Sequence, residues 1–202
     1  METDKNNSAT VSVPKPSPLN IARKTFSMSW NYCPLCATPL AMIPLQEDAG
    51  RVERLRCPSC HFTHWNNPVP VLAAIIEYQG KVLLARNAAW SQKMFALITG
   101  FMEAGESPEA GMAREIKEET NLDTVSLQLV GVYDFQQMNQ LIIAYHALCE
   151  GELRLSPELV DWRLYQPDEL KCWPAGTGHA LADWLRSRGH EPVYFSSPEL
   201  RS

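Results

Sequence analysis

The stretch "GFMEAGESPEAGMAREIKEETNL", residues 100–122, constrains the chain more than any other. It crowds Glu103, Glu106, Glu109, Glu115, Glu118 and Glu119 together in a protein whose charged fraction is only 20%. Ser107-Pro108 is a helix-start signal, because Ser offers a capping oxygen and Pro suits the first helical position. Asn121 tolerates the left-handed conformation that closes a helix, so a helix is expected from Pro108 to Thr120. At about 100° per residue, Glu115, Glu118 and Glu119 fall on one face and span about 6 Å along the axis. Ala113, Ile116 and Thr120 lie away from its centre and are free to pack on a sheet. Three carboxylates at this spacing repel one another unless a cation sits among them, and all-oxygen ligands suit Mg²⁺ or Mn²⁺. The alternative is a solvated charged face with Arg114 and Lys117 as internal partners.

The cysteines carry a second pattern. Cys33 and Cys36 ("CPLC") and Cys57 and Cys60 ("CPSC") form two Cys-x2-Cys pairs twenty residues apart, close to a two-knuckle zinc site. The intervening "ATPLAMIPLQEDAGRVERLR" reads as a hairpin with Asp48-Ala49-Gly50 at its tip, which brings the knuckles together. Four thiolates close a tetrahedral shell, so the expected Zn²⁺ is structural, with His61 a bystander. Disulfides are disfavoured because no secretory signal is visible. Arg51, Arg54 and Arg56 make this unit locally basic, and their alternation reads as one solvated strand face. Cys149 and Cys172 read as half-buried apolar residues.

The 202 residues, 45% hydrophobic, suffice for one good core with a small accessory module. A net charge of -5 gives no global attraction for nucleic acid or an anionic membrane, so an anionic substrate needs local neutralisation. No apolar run reaches the length of a membrane span, and the expectation is a cytoplasmic protein.

Residues 1–29, rich in Ser, Asn and Pro, are expected to be a mobile tail, 30–67 the zinc ribbon, and 191–202 a C-terminal tail. Between them, 68–190 form the main domain. Here "VLAAIIEYQGKVLLARN" reads as two strands around Gln79-Gly80, and "KMFALITG", "SLQLVGVYDF", "QLIIAYHALCEG" and "DWRLYQ" as further strands. The stretch "GTGHALADWLRSRG" reads as a closing helix. Strands on both sides of a mid-chain helix predict an α/β fold, a mixed sheet between helices.

Gly100, Glu106 and the run Arg114-Glu115-Ile116-Lys117-Glu118-Glu119-Thr120-Asn121-Leu122 together resemble the Nudix box, Gly-x5-Glu-x7-Arg-Glu-U-x-Glu-Glu-x-Gly-U, where U is bulky and aliphatic. Six fixed positions, each at a background of about 6%, match by chance with a probability on the order of 10⁻⁵. Only the last glycine departs, replaced by Asn121. A four-cysteine ribbon, an "NP" joint, the box and a "PAGT" helix start extend the resemblance over residues 32–188, to the zinc-ribbon Nudix proteins that include NADH pyrophosphatases and enzymes acting on FAD or ADP-ribose.

The resemblance implies a Nudix-type α/β/α sandwich and Mg²⁺- or Mn²⁺-dependent hydrolysis of a nucleoside diphosphate linked to another moiety. It makes Glu115, Glu118 and Glu119, with the carbonyl of Thr99, the metal ligands, and Arg114 the partner of Glu106. Either Glu115 or Glu158 activates water, with Asp161 a neighbour of interest. Relatives acting on NADH carry a Ser-Gln-Pro-Trp-Pro-Phe-Pro type stretch after the box, whereas this chain has "VYDFQQMNQL". That argues against NADH and NAD-capped RNA as preferred substrates and leaves FAD, ADP-ribose or another dinucleotide open. Tyr133, Phe135 and Met138 are candidates to stack on a base, or are core packing. A homodimer is expected by analogy alone. The competing reading is a catalytically weak module whose ribbon holds nucleic acid or protein; the complete carboxylate set favours the enzyme.

Overall fold

The hairpin expected between the cysteine pairs forms from β1 (Ala41–Glu47) and β2 (Gly50–Arg56), with β3 (Thr63–His64) added to β2. In this computed structural model residues 30–89 and 94–196 are described. The expected tail 1–29, and residues 197–202 of the expected C-terminal tail, lie outside them. Strand alternation corrects one expectation: Arg54 and Arg56 share a face, and Arg51 points to the other. Arg54 is bidentate to Glu47 at 2.9 and 2.8 Å, and Arg56 Nε donates to the His61 carbonyl at 3.1 Å. The positive charge of the hairpin is thus partly consumed within the ribbon.

The run "VPVLAAIIEY", apolar at nearly every position, suits a strand buried on both faces. It is β4 (Val69–Tyr78), followed across Gln79-Gly80 by β5 (Lys81–Asn87). Both turn residues are left-handed, φ 52° and 72°, as a two-residue hairpin turn requires. After β6 (Ile98–Phe101) come α1 (Pro108–Thr120), β7 (Asp123–Phe135), β8 (Gln140–Glu150), β9 (Leu159–Tyr165), β10 (Lys171–Cys172), α2 (Thr177–Ser187) and β11 (Val193–Tyr194). The main sheet runs β7-β8-β4-β5-β9, with β6 also paired to β4. Only β4 and β8 pair in parallel within it, so the sheet is mixed as expected. Val193–Tyr194, in the stretch read as a tail, pairs in parallel with Lys171–Cys172.

Alternation along β4 divides the core. Leu72, Ala74 and Ile76 meet Met112 and Ile116 of α1, whereas Val71 and Ala73 pack with Ala180, and Ile75 with Leu181 and Leu185, of α2. These are the two outer layers of the α/β/α sandwich. On α1 the inward residues are Gly111, Met112, Ile116 and Thr120, with Ala113 half-buried. Cys149 and Cys172 are buried, and burial pushes both thiols up to about 11. Among the described residues no helix is long and apolar enough to cross a membrane.

Candidate active site

Helix α1 begins and ends where its caps dictate. Ser107 Oγ accepts the Ala110 N–H at 3.2 Å, and Asn121, left-handed at φ 61°, donates its N–H to the Lys117 carbonyl. Asparagine adds something glycine lacks: its Nδ2 donates to the Glu152 carbonyl at 2.8 Å, tying the helix end to the segment after β8.

Arg114 is the hub of the helix face. Its Nε and Nη2 grip Glu106 at 3.1 and 2.9 Å, its Nη1 reaches Glu115 at 2.9 Å and Glu118 at 3.0 Å, and Nη2 also meets the Phe101 carbonyl. Five donors thus meet five acceptor contacts, the full capacity of a guanidinium. The Arg114 guanidinium holds the Glu106 carboxyl below the usual range, helped by the Glu103 N–H. Burial pushes Glu115 up, against the pull of Arg114.

Gly100 on β6 faces the Glu115 carboxyl so closely that any Cβ there would overlap it. Thr99 precedes it, across from Ala73. The missing side chain at residue 100 is therefore what seats Glu115 against the strand.

Glu119 is half-buried, its carbonyl accepts the Ser156 N–H at 2.9 Å, and among the described residues its carboxylate makes no hydrogen bond or ion pair. Burial, then repulsion from Glu115, Glu158 and Glu118, pushes it up to about 7. Glu158, exposed at the mouth of β9, therefore lies within electrostatic reach of the helix face. Among the described residues only the cysteines gather three or more ligand atoms within 4.8 Å, so the carboxylates do not converge on one point. Glu115 and Glu118 turn to Arg114, and Glu119 stands apart.

A carboxylate raised in the folded state costs stability as it ionises. Between its ordinary 4.5 and about 7 the folded chain holds a proton that the unfolded chain has lost, so stability falls as pH rises through that window. Glu119→Gln is expected to stabilise the metal-free protein above pH 7, with the gain vanishing towards pH 5. Thermal unfolding across that range checks it, and a pH-independent difference would refute the buried-charge account.

Tyr133 and Phe135 sit elsewhere. Both are half-buried on the α2 face of the sheet, where Tyr133 donates to Asp183 at 3.0 Å and Phe135 packs beside Gly176. Burial and the Asp183 carboxylate push the Tyr133 hydroxyl well up. The structure does not bring these rings to the glutamates. Register does place Tyr133 at one end of a cross-sheet row, Phe101, Val71, Ile142, Tyr133. Three strand spacings make that row about 14 Å long. Phe101, 59% exposed, is the open ring on it and adjoins Gly100. Sequence reasoning misses it because it occupies a variable box position. Met138 is exposed in the turn Gln136–Met138. Asp161 is paired with Arg86 in register and accepts the Trp162 N–H.

In the ribbon the knuckles are near copies. Leu35 N–H points to Cys33 Sγ and Cys60 N–H to Cys57 Sγ, both at 3.4 Å, and each turn closes on a left-handed residue, Ala37 and His61. His61 is thus a turn residue, outside the ligand set. Sulfur separations of 3.4 to 3.5 Å are close to the edge of about 3.8 Å expected for a tetrahedron with 2.3 Å Zn–S bonds. Hydrogen bonding with Thr38 pulls Cys36 down to about 6.

The sequence profile of the NUDIX domain matches residues 66–186, more than half of the chain. The chain belongs to the NUDIX domain family. The NAD-capped RNA hydrolase NudC of Pseudomonas aeruginosa is 28% identical over 169 residues, 80% of this chain and 59% of that protein. Its namesake from Stutzerimonas stutzeri is 27% identical over 153 residues, 75% of this chain and 53% of that one. The chain spans about half the length of these curated relatives. Among solved structures, a NUDIX hydrolase from Nitrosomonas europaea superposes with a TM-score of 0.66 at 27% identity, covering 82% of this chain and 96% of that one. The MutT protein of Methanosarcina mazei Go1, with a TM-score of 0.51 and 21% identity, covers 62% of this chain and 99% of its own and shares the fold.

Proposed function

We propose that this NUDIX protein hydrolyses the pyrophosphate bond of a nucleoside diphosphate linked to another moiety, with Mg²⁺ or Mn²⁺ held by Glu115, Glu118, Glu119 and the Thr99 carbonyl. The observation that carries this is the seating of Glu115 against Gly100 with Arg114 gripping both Glu106 and Glu115. Arg114 fixes this helix face against β6, and Glu115 and Glu118 would turn from its guanidinium, towards Glu119, to gather round an ion. A bound divalent ion would spread the pyrophosphate charge and lower the pKa of a coordinated water. Glu118, 59% exposed and held at one oxygen by Arg114, would turn to a bound ion with least disruption. Arg114 keeps its bidentate hold on Glu106 throughout and fixes the helix against β6. Glu115 and Glu158 remain the two candidates to take the water's proton.

For the substrate, the row from Phe101 to Tyr133 supports a flat ring laid on Phe101. The relatives named as NAD-capped RNA hydrolases bring that substrate class into consideration. Against it, "VYDFQQMNQL" is here the end of β7, a tight turn and the start of β8. FAD, ADP-ribose or a related dinucleotide is therefore favoured. Cys33, Cys36, Cys57 and Cys60 hold a structural Zn²⁺ in this reading.

Incubating the protein with Mg²⁺ and NADH, FAD, ADP-ribose, NAD-capped RNA or nucleoside triphosphates tests it. At least one should yield a mononucleotide, with FAD or ADP-ribose ahead of NADH. No cleavage of any of them would sink the proposal.

A further inference from the structure

At the end of α2, remote in sequence from the carboxylate helix, four side chains from three elements meet. His146 of β8 is buried, its Nε2 lies 2.9 Å from Glu77 Oε2 of β4, and its ring stacks on Trp184 at 5.5 Å. Arg188, just past α2, lies over the same indole at 5.4 Å. Trp184 is 4% exposed, and among the described residues its buried Nε1–H has no partner. Burying an indole donor unpaired is unfavourable, so the packing of His146 and Arg188 on this ring holds it in place against that cost.

Arg188 is also unlike the guanidiniums that are fully engaged. Arg54 and Arg114 hold carboxylates at 2.8 to 3.1 Å, whereas Arg188 reaches Glu77 at 3.4 Å and His146 at 3.5 Å, both long for such bonds. Its side chain is 47% exposed. It borders a cleft of about 210 Å³ between the β4–β5 turn and the end of α2, where Lys81, His190 and Trp184 also line the wall. Among the described residues neither Lys81 nor His190 has a carboxylate partner. The lone acid there, Glu77, already serves His146 and Arg188. The last carbonyls of α2 are taken by the N–H groups of Arg188, Gly189 and His190, which blunts the negative helix end. The cleft is below the 300 Å³ or so of a drug-sized site, which restricts the ligand to something small.

We propose that this cleft binds a small oxyanion of the phosphate or phosphate-monoester class, clamped by Lys81, Arg188 and His190 against Trp184. The inference is independent of the hydrolytic reading, because binding is measured without turnover.

Titration calorimetry of the full chain in magnesium-free buffer with inorganic phosphate should show one site per chain, with a Kd on the order of 1 mM. Lys81→Gln and Arg188→Gln should each weaken it by about tenfold, the loss of one charge-assisted bond. Lys81 lies beside an exposed turn, so its variant stays informative if Arg188→Gln perturbs the helix end. Glu118→Gln, in the other site, should leave binding unchanged. Adenosine monophosphate as a second probe separates the sources: tighter binding than phosphate assigns a nucleotide, and equal binding a free anion. Absence of saturable binding by both probes, or loss in Glu118→Gln with retention in Lys81→Gln, overturns the proposal.

Discussion

Gly100→Ala should lower kcat by about a hundredfold or more while moving Tm by no more than a few degrees. The three atoms nearest the added methyl all belong to the Glu115 carboxyl, the far end of a flexible side chain, so the chain can relieve the overlap by turning that group away. Folding is then nearly undisturbed. The same rotation withdraws a carboxylate from the position proposed for the metal and breaks its contact with Arg114. At Gly111, by contrast, a methyl would also meet Leu72 Cδ1 at 2.7 Å in the core, so packing enforces that glycine. Turnover assays paired with thermal unfolding separate the two kinds of constraint. Full activity in Gly100→Ala would show that the seating of Glu115 is incidental.

Cys57→Ser should cost the ribbon its zinc and its structure while the NUDIX domain remains folded. Between residues 30 and 67 the only buried side chains are Cys33 and Cys57. A unit with no apolar core cannot offset its chain entropy, and metal binding supplies the folding free energy instead. Serine is a poor zinc ligand, and three thiolates leave the shell open. Wild-type protein should contain about one zinc per chain and the variant none. Protease should then cut the variant within residues 30–67 and spare the rest. A Cys57→Ser variant that keeps its zinc and an uncut ribbon would contradict the four-thiolate assignment.

Much of this is legible locally. Ser107-Pro108 and Asn121 mark the ends of α1, and Gln79-Gly80 marks the hairpin, because caps and turns are set by a few adjacent residues. The knuckles are legible for the same reason. Faces within β7 are not. Leu127 packs on the α1 side and Tyr133 on the α2 side although both are odd-numbered, because irregular register between Leu129 and Gly131 flips the alternation. Gly131 is the one hint of that bulge in "SLQLVGVYDF", and it does not say which faces the flanking residues take. The exposed position of Phe101 depends on the register of four strands, and the Glu77–Arg188 contact joins residues 111 positions apart. Such juxtapositions are products of the whole sheet.

The parallel pairing of β4 with β8 has a consequence for how the protein is made. Val69 pairs with Gln140 and Tyr78 with Cys149, so the central strand waits for about seventy further residues before its neighbour exists. During synthesis β4, with its fully apolar core-facing run, leaves the ribosome early and stays unsheltered until β8 follows it out. The β4–β5 hairpin and α1 are local and can form meanwhile, but the carboxylate face is held against β6 only once that central strand is enclosed. Any truncation before Glu150 should therefore yield an aggregating chain, because the candidate site and the sheet that supports it are completed at the same moment of translation.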